Sequence, residues 1–207
     1  MATSKPSSVS SQRRPKANGH DRRRMSLREH LRPLSGTYLR HVATGRTRSV
    51  LDDTYIGVVA DNRWNEVGTP TYYFALDRGI LVAEYGRHIE SDLPDGEPER
   101  LERSLYKVEV SLEVVLDLTD PETVAAFGAA TINDWILDLA TTQKTATYLL
   151  AQLPELQGLV VPSVAFLDHH ERYNVVIFGD RIDSRSTFGM PAHLGDLVIE
   201  GVGKDPA

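Results

Sequence analysis

Among the residues that could do chemistry, one glutamate stands out because its charged side chain falls on a helix face that is otherwise apolar. The segment DRGILVAEYGRHIES has the spacing of a helix and places Ile80, Leu81 and Glu84 on one face. A carboxylate on an otherwise apolar face is costly unless it is paired with a partner or used in a reaction. The pattern leaves two interpretations of Glu84 open. It forms a structural ion pair with an arginine such as Arg87 or Arg40, or it is a catalytic carboxylate.

A serine and a second arginine carry weaker signals. Ser163 follows Pro162 in the apolar segment GLVVPSVAF, where a buried, hydrogen-bonded serine is commoner than a catalytic one. No residue in its block looks like a base that would activate it as a nucleophile. Arg63 precedes Trp64 in a turn-like segment, and a surface arginine stacked on the indole ring would explain that pair.

Several classes of site are excluded or disfavoured by the sequence. The chain has no cysteine, so disulfides, thiolate zinc sites and cysteine nucleophiles are absent. It contains neither a glycine-rich phosphate loop nor a nucleophile elbow. The run Asp168-His169-His170-Glu171 could suggest metal ligands, but neighbours along a chain rarely point to one ion. We interpret this run as a polar hairpin loop between two strands and expect no metal.

The elements that must position these residues follow in a mixed order from Gly36 onward. Helices are predicted after an N-cap at Asp77, at Asp120-Pro121, and in two pieces within NDWILDLATTQKTATYLLAQLPELQ. Strands are predicted in TPTYYFAL, SLYKVEVSLEVVLDLTD, GLVVPSVAF, RYNVVIFGD and GDLVIEGV, the second being long or bulged. This order favours an α+β fold over a regularly alternating doubly wound sheet.

Charge divides the chain into two parts. Residues 1–32 contain nine Lys or Arg and two acidic residues, whereas the remainder contains fourteen basic and twenty-seven acidic residues. The Ser-, Pro- and Arg-rich start cannot bury enough apolar surface to order itself, so 1–32 is predicted as a disordered basic extension and 33–207 as one folded domain. A nucleic-acid-binding or partner-binding arm is the alternative. The acidic body argues against nucleic acid as its ligand.

The length and hydropathy of the chain bound its class. At 207 residues with 41% hydrophobic and 25% charged residues, the chain is typical of a globular protein. The apolar runs are far shorter than the roughly 20 residues of a membrane span, and no apolar core follows the N-terminal charges. These observations and the lack of cysteine lead us to expect a cytoplasmic protein without membrane contact.

Four separated blocks resemble those of the RES domain, a family named for its Arg, Glu and Ser. The blocks YLRHV, NRWNEVGTPTYY, LVAEYGRH and GLVVPSVAF occur in the family's order between about Gly36 and Gly179. The segment TTQKTATYLL before the serine block looks like the family's Thr-Gln helix. The arginine-rich start is a departure, since the core family does not require it, and residues 46–61 match only loosely.

The resemblance implies a fold similar to ADP-ribosyltransferases, with a mixed, split β-core and helices around an NAD cleft. Characterised members of the family are toxins that destroy NAD and are paired with antitoxins of the Xre helix-turn-helix type. NAD would be the substrate, with no further cofactor. The resemblance assigns Arg40, Glu84 and Ser163 to catalysis, and Arg63 and Tyr73 to substrate binding.

These residue types suit cleavage of the nicotinamide–ribose bond. That reaction passes through an oxocarbenium-like transition state, which a carboxylate at Glu84 would stabilise. The guanidinium groups of Arg40 and Arg63 match phosphate oxygens, and the Tyr73 ring could stack on nicotinamide. Ser163 would hold a ribose or amide group. Tyr72 should face the other side of the strand from Tyr73.

Three functions remain open from the sequence. The first is an NAD glycohydrolase or phosphorylase, and the second is a mono-ADP-ribosyltransferase that modifies a protein. The third is an inactive RES-like domain that binds a partner. The sequence also leaves open whether the chain assembles into a homo-oligomer.

Overall fold

The sheet that carries the site is mixed and six-stranded. A computed structural model of the chain describes residues 27–45, 49–53, 56–57, 62–92, 99–128 and 131–201. The strands are β1 (Leu31–Ala43), β2 (Thr71–Ala75), β3 (Glu99–Asp117), β4 (Gly158–Pro162), β5 (Tyr173–Phe178) and β6 (Ala192–Gly201). Their order is β1-β2-β5-β4-β3-β6, and among the described pairings only that of β3 with β4 is parallel.

One further pairing closes most of this sheet on itself. The long strand β3 also pairs antiparallel with β1 along nearly its whole length, from Leu31↔Leu116 to Ala43↔Arg103. The strands β1, β2, β5, β4 and β3 therefore form a ring, to which β6 adds at the first half of β3. The predicted long strand is confirmed as β3, and its pairing with β6 shifts register between Leu105 and Tyr106.

Helices begin where the capping residues predict. They are α1 (Arg78–Asp92), α2 (Pro121–Phe127), α3 (Asn133–Ile136), α4 (Leu139–Gln152) and the single turn α5 (Ser184–Thr187). Asp77 Oδ1 accepts a hydrogen bond from Ile80 N at 2.9 Å, and Asp120 accepts from two backbone N–H groups at the start of α2. The α+β prediction is confirmed. Within the described residues, no helix is long and apolar enough to span a membrane.

The two faces of β2 separate two groups of side chains. Tyr72 and Phe74 lie in one buried cluster with Val175 and Ile177 of β5. Tyr73 points the other way and packs against the cluster that contains residues of α3 and α4. Ala75 is on the Tyr73 face and packs with α1. The prediction that Tyr72 and Tyr73 face opposite sides of the strand is therefore confirmed. The side of the sheet that carries Tyr73 and is covered by helices is called here the helical face.

The folded body begins earlier in the chain than the predicted boundary at residue 33. Leu27 is only 1% exposed within the core, and Arg28 pairs with Glu155 at 2.9 Å. Strand β1 starts at Leu31. Residues 27–32 are therefore part of the domain, which corrects the assignment of this stretch to the extension. Positions 1–26, the rest of that predicted extension, lie outside the described residues.

Candidate active site

Glu84 lies on α1 and directs one carboxylate oxygen into a set of hydrogen-bond donors. Its neighbours on the helix, Ile80 and Leu81, are buried against the sheet, so the helical pattern read from the sequence is correct. Glu84 Oε1 accepts from Ser163 Oγ at 2.5 Å and from Asn174 Nδ2 at 3.2 Å. The backbone N of Ala165 makes a longer contact of 3.4 Å with the same oxygen. The structure thus brings Glu84 and Ser163 together across 79 residues of sequence.

Ser163 reaches Glu84 because β4 ends at the preceding residue. Its backbone N donates to Arg172 O at 2.9 Å, which continues the pairing of β4 with β5, and its carbonyl accepts from Phe166 N at 3.0 Å. The chain then enters a 3-10 turn over Val164–Phe166. Ser163 is fully buried, and a buried hydroxyl needs a hydrogen-bond partner within the protein. The Glu84 carboxylate is that partner.

The structural ion pair proposed for Glu84 is not what holds this carboxylate. Arg87 donates through Nη1 to the carbonyl of Val164 at 2.9 Å. Within the described part of the chain, no basic side chain forms an ion pair with Glu84, whose contacts are the three donors at Oε1. The partners of this carboxylate are neutral groups.

Arg63 lies in the turn before β2, within electrostatic range of Glu84. Its Nη1 donates to the backbone carbonyl of Ile136 at the end of α3. Burial lowers the pKa of the Arg63 guanidinium, and the Glu84 carboxylate opposes that shift by favouring the charged form. Trp64 is 2% exposed in the core, so it is not the surface ring that the sequence interpretation expected.

Hydrogen bonds from β2 and from α4 hold the turn that carries Arg63. Tyr73 donates its hydroxyl hydrogen to Asn65 Oδ1 at 2.8 Å and accepts from Trp64 N at 3.0 Å. From α4, Gln143 Nε2 donates to Asn62 O at 3.1 Å. Burial raises the pKa of the Tyr73 phenol far above its usual range, so it stays neutral. The Tyr73 hydroxyl therefore holds the Arg63 turn, whereas the sequence interpretation left it for a substrate contact.

Arg40 lies on the other face of the sheet. Its neighbour Leu39 pairs with Ala75 and packs on the helical face, so the Arg40 side chain points away from that face. The guanidinium lies 4.9 Å from the Tyr72 ring centroid and 5.6 Å from that of Phe74. Burial lowers its pKa to about 10, and its buried Nη1 has no hydrogen-bond partner among the described residues. The structure does not group Arg40 with Glu84, Ser163, Arg63 and Tyr73.

Sequence reasoning missed Asn174 as part of this site. Asn174 pairs with Ala75 across β2 and β5, which directs its side chain to the helical face beneath α1. An available signal was its polar character within the apolar segment RYNVVIFGD, the same kind of signal that marked Glu84. The His169 cluster, in contrast, lies in the turn before β5, where the exposed His169 contacts Glu171 at 3.1 Å.

Comparison with known proteins places this geometry in a family. The fold is similar to a chain of the crystal structure of the M. tuberculosis MbcT–MbcA toxin–antitoxin complex, with a TM-score of 0.61 and 18% sequence identity. The match covers 86% of this chain and 93% of that chain. No curated protein matches the sequence. The model of the RES domain matches residues 40–195, a range that includes Arg40, Arg63, Tyr73, Glu84 and Ser163. The chain therefore belongs to the RES domain family.

Proposed function

We propose that this chain is an NAD-consuming enzyme that cleaves the bond between nicotinamide and ribose, as a glycohydrolase or a phosphorylase. The observation that carries the proposal is the Glu84 carboxylate, held by Ser163 and Asn174 within electrostatic range of Arg63. We further propose that it acts as the toxin of a toxin–antitoxin pair, with a helix-turn-helix antitoxin of the Xre type. Membership of the RES domain family and the likeness to a chain of a toxin–antitoxin complex support that role.

The carboxylate suits the charge that develops in this reaction. When the bond from ribose C1′ to the nicotinamide nitrogen breaks, both electrons go to the pyridinium ring and nicotinamide leaves neutral. Positive charge then spreads over C1′ and the ring oxygen, as in glycoside hydrolysis. A carboxylate fixed near the ribose stabilises this charge without having to reorganise. The oxygen of water or phosphate attacks C1′ and loses a proton to solvent.

One of the two arginines is placed to bind the pyrophosphate end of the substrate. Arg63 keeps part of its guanidinium on Ile136 O, and its remaining N–H groups can donate to the pyrophosphate of NAD. Arg40 has a buried Nη1 without a hydrogen-bond partner among the described residues, which favours an anionic ligand there as well. Because the two arginines lie on different faces of the sheet, we propose Arg63 as the phosphate ligand associated with Glu84.

The proposal is tested by incubating the purified protein with NAD and separating the products. We expect nicotinamide to form in proportion to the NAD lost. The second product identifies the acceptor: free ADP-ribose indicates water, and ADP-ribose phosphorylated at the reacting ribose carbon, formed when phosphate is added, indicates phosphate. Glu113→Gln is the matched control, because Glu113 has an exposed side chain on β3 and should retain full activity. NAD labelled in the adenine ring shows whether label enters protein, which would favour the mono-ADP-ribosyltransferase. Intact NAD with a folded protein would refute cleavage and favour a partner-binding domain.

The proposed toxin role has its own test. Induced expression in bacteria should lower cellular NAD and arrest growth, and Glu113→Gln should do the same. Co-expression of a cognate Xre-type helix-turn-helix antitoxin, which is to be sought among the neighbouring genes, should restore both. Growth arrest with unchanged cellular NAD would contradict the proposed mechanism of toxicity.

A further inference from the structure

The hydrogen bonds to Glu84 are distributed unevenly over its two oxygens. Ser163 Oγ, Asn174 Nδ2 and Ala165 N all approach Oε1. Within the described part of the chain, no donor contacts Oε2. An ionised carboxylate has lone pairs on both oxygens, and Glu84 is only partly buried, so Oε2 remains available to water or to a substrate.

The donors to Oε1 come from rigid parts of the fold. Ser163 directly follows β4, and its hydroxyl is fixed because the residue is fully buried and its backbone N and O are both hydrogen bonded. Asn174 lies near the start of β5, where it is paired on both sides, with Ala75 of β2 and Val161 of β4. Two neighbouring strands therefore define where the end of a helical side chain lies.

We infer that Ser163 and Asn174 are positioning residues, which fix Glu84 through Oε1 and leave Oε2 as the oxygen that acts on the ribose. This inference rests on the proposed function for the identity of the substrate. It assigns a role to Asn174, and it changes the expected role of Ser163 from a ligand of ribose or amide to a support for Glu84. The Ser163 hydroxyl has one hydrogen, which it donates to Glu84, and the residue is 0% exposed, so its hydroxyl is not placed to contact NAD.

The two roles for Ser163 differ in their kinetics. If Ser163 positions Glu84, Ser163→Ala should lower kcat for nicotinamide release by roughly 10–100-fold, because a small misplacement of a reacting group has effects of this size. The KM for NAD should change little, since binding groups are intact. Asn174→Ala should act in the same direction. A rise in KM with unchanged kcat in Ser163→Ala would overturn the inference.

Thr123→Val is the matched control for loss of a buried hydroxyl. Thr123 is 1% exposed and donates through Oγ1 to the Asp120 carboxylate at 2.8 Å, outside the candidate site. It should lose stability without a change in kcat of the folded protein. An equal loss of kcat in Thr123→Val would mean that the Ser163 effect is general, which contradicts a positioning role.

A double-mutant cycle shows whether Ser163 acts through Glu84. In a Glu84→Gln background, Ser163→Ala should lower kcat by less than about threefold, because the group it positions is already disabled. Multiplicative losses would overturn the inference. The midpoints of thermal unfolding of a second cycle, in which Glu84→Ala removes the acceptor of the Ser163 hydrogen bond, give a reading that needs no activity. We expect their shifts to be non-additive, and strictly additive shifts would contradict the contact. A wild-type protein that releases no nicotinamide would refute the proposed function, while non-additive unfolding would still support the positioning of Glu84.

Discussion

Replacement of Arg63 by lysine should separate substrate binding from chemistry. The guanidinium of Arg63 donates to Ile136 O through Nη1 and has further N–H groups left for a phosphate. Arg63→Lys keeps the charge but provides a single ammonium group, which cannot hold the carbonyl and form a bidentate pair with phosphate. We therefore expect the variant to lose substrate affinity while the turn stays in place through Tyr73 and Gln143.

The size of the effect follows from the bond that is lost. A hydrogen bond to a charged group contributes about 1.5–3 kcal/mol. Each 1.4 kcal/mol is a factor of ten, so KM for NAD should rise by roughly 10–150-fold. The kcat should fall by less than this, since Glu84 and its donors are unchanged.

Initial rates of nicotinamide release over a range of NAD concentrations measure both constants. Arg78→Lys is the matched control, because Arg78 is the exposed first residue of α1 and should behave like the wild type. Wild-type constants in Arg63→Lys would refute a phosphate clamp at this position. A fall in kcat with unchanged KM would instead assign Arg63 to the transition state.

Three further predictions concern stability and binding outside the Glu84 contacts. Deletion of residues 1–26 should leave the melting temperature and NAD turnover near their full-length values, whereas Leu27→Ala should cost about 2–5 kcal/mol and lower the melting temperature by about 4–20 °C. Equal stability of Leu27→Ala and wild type would contradict the burial of Leu27. His41, which accepts from Arg103 Nε at 2.9 Å, has its pKa lowered to about 3, mainly by burial and then by Arg103 and Arg40. In the unfolded chain His41 binds a proton below about pH 6.5, whereas in the folded protein it binds one only near pH 3. The free energy of unfolding should therefore fall on acidification by up to about 1.4 kcal/mol per pH unit. Urea unfolding at several pH values should show a shallower slope for His41→Gln, and equal slopes would refute this assignment. Finally, Arg40→Gln should weaken NAD binding in calorimetry if the unpartnered Nη1 meets an anion, and unchanged affinity would place Arg40 outside the substrate site.

Much of the fold was predictable because its signals are local. Asp77 and Asp120 cap helices by contacts within three residues, and the alternation of Tyr72 and Tyr73 follows from strand geometry alone. The strand β1 was not predicted. Its start contains Arg32 and Pro33, and its burial alternates poorly, so the pattern on which strand prediction depends is weak there.

The ring of strands and the arrangement of the site depend on contacts that are distant in sequence. Nothing local to β1 indicates that Leu31 pairs with Leu116. Glu84 could be singled out because a charge on an apolar helix face is costly, but the identity of its partners was not readable from that fact. The ion pair with Arg87 was the simplest alternative by spacing, and the structure uses Ser163 and Asn174 instead.

The face on which Arg40 lies was equally beyond sequence patterns. It is decided by the single described pair between β1 and β2, Leu39↔Ala75, which directs Leu39 to the helical face and Arg40 away from it. A shift of one residue in that register would exchange the two side chains. The family motif singled out Arg40, whereas the strand register determines the face of the sheet on which its side chain lies.

The replacement Glu84→Gln tests the central claim, that this carboxylate stabilises the transition state in which the nicotinamide–ribose bond breaks. The amide oxygen can still accept from Ser163, Asn174 and Ala165, so shape and hydrogen bonding are kept while the charge is removed. Loss of one placed electrostatic stabiliser costs about 3–4 kcal/mol of transition-state stabilisation, or roughly 10²–10³ in rate. Nicotinamide release and thermal unfolding should be measured on the same preparation. We expect a folded protein with near wild-type stability that binds NAD and releases nicotinamide roughly 10²–10³ times more slowly. A destabilised variant whose folded fraction retains full activity would contradict the catalytic assignment of Glu84 and, with it, the proposed enzyme.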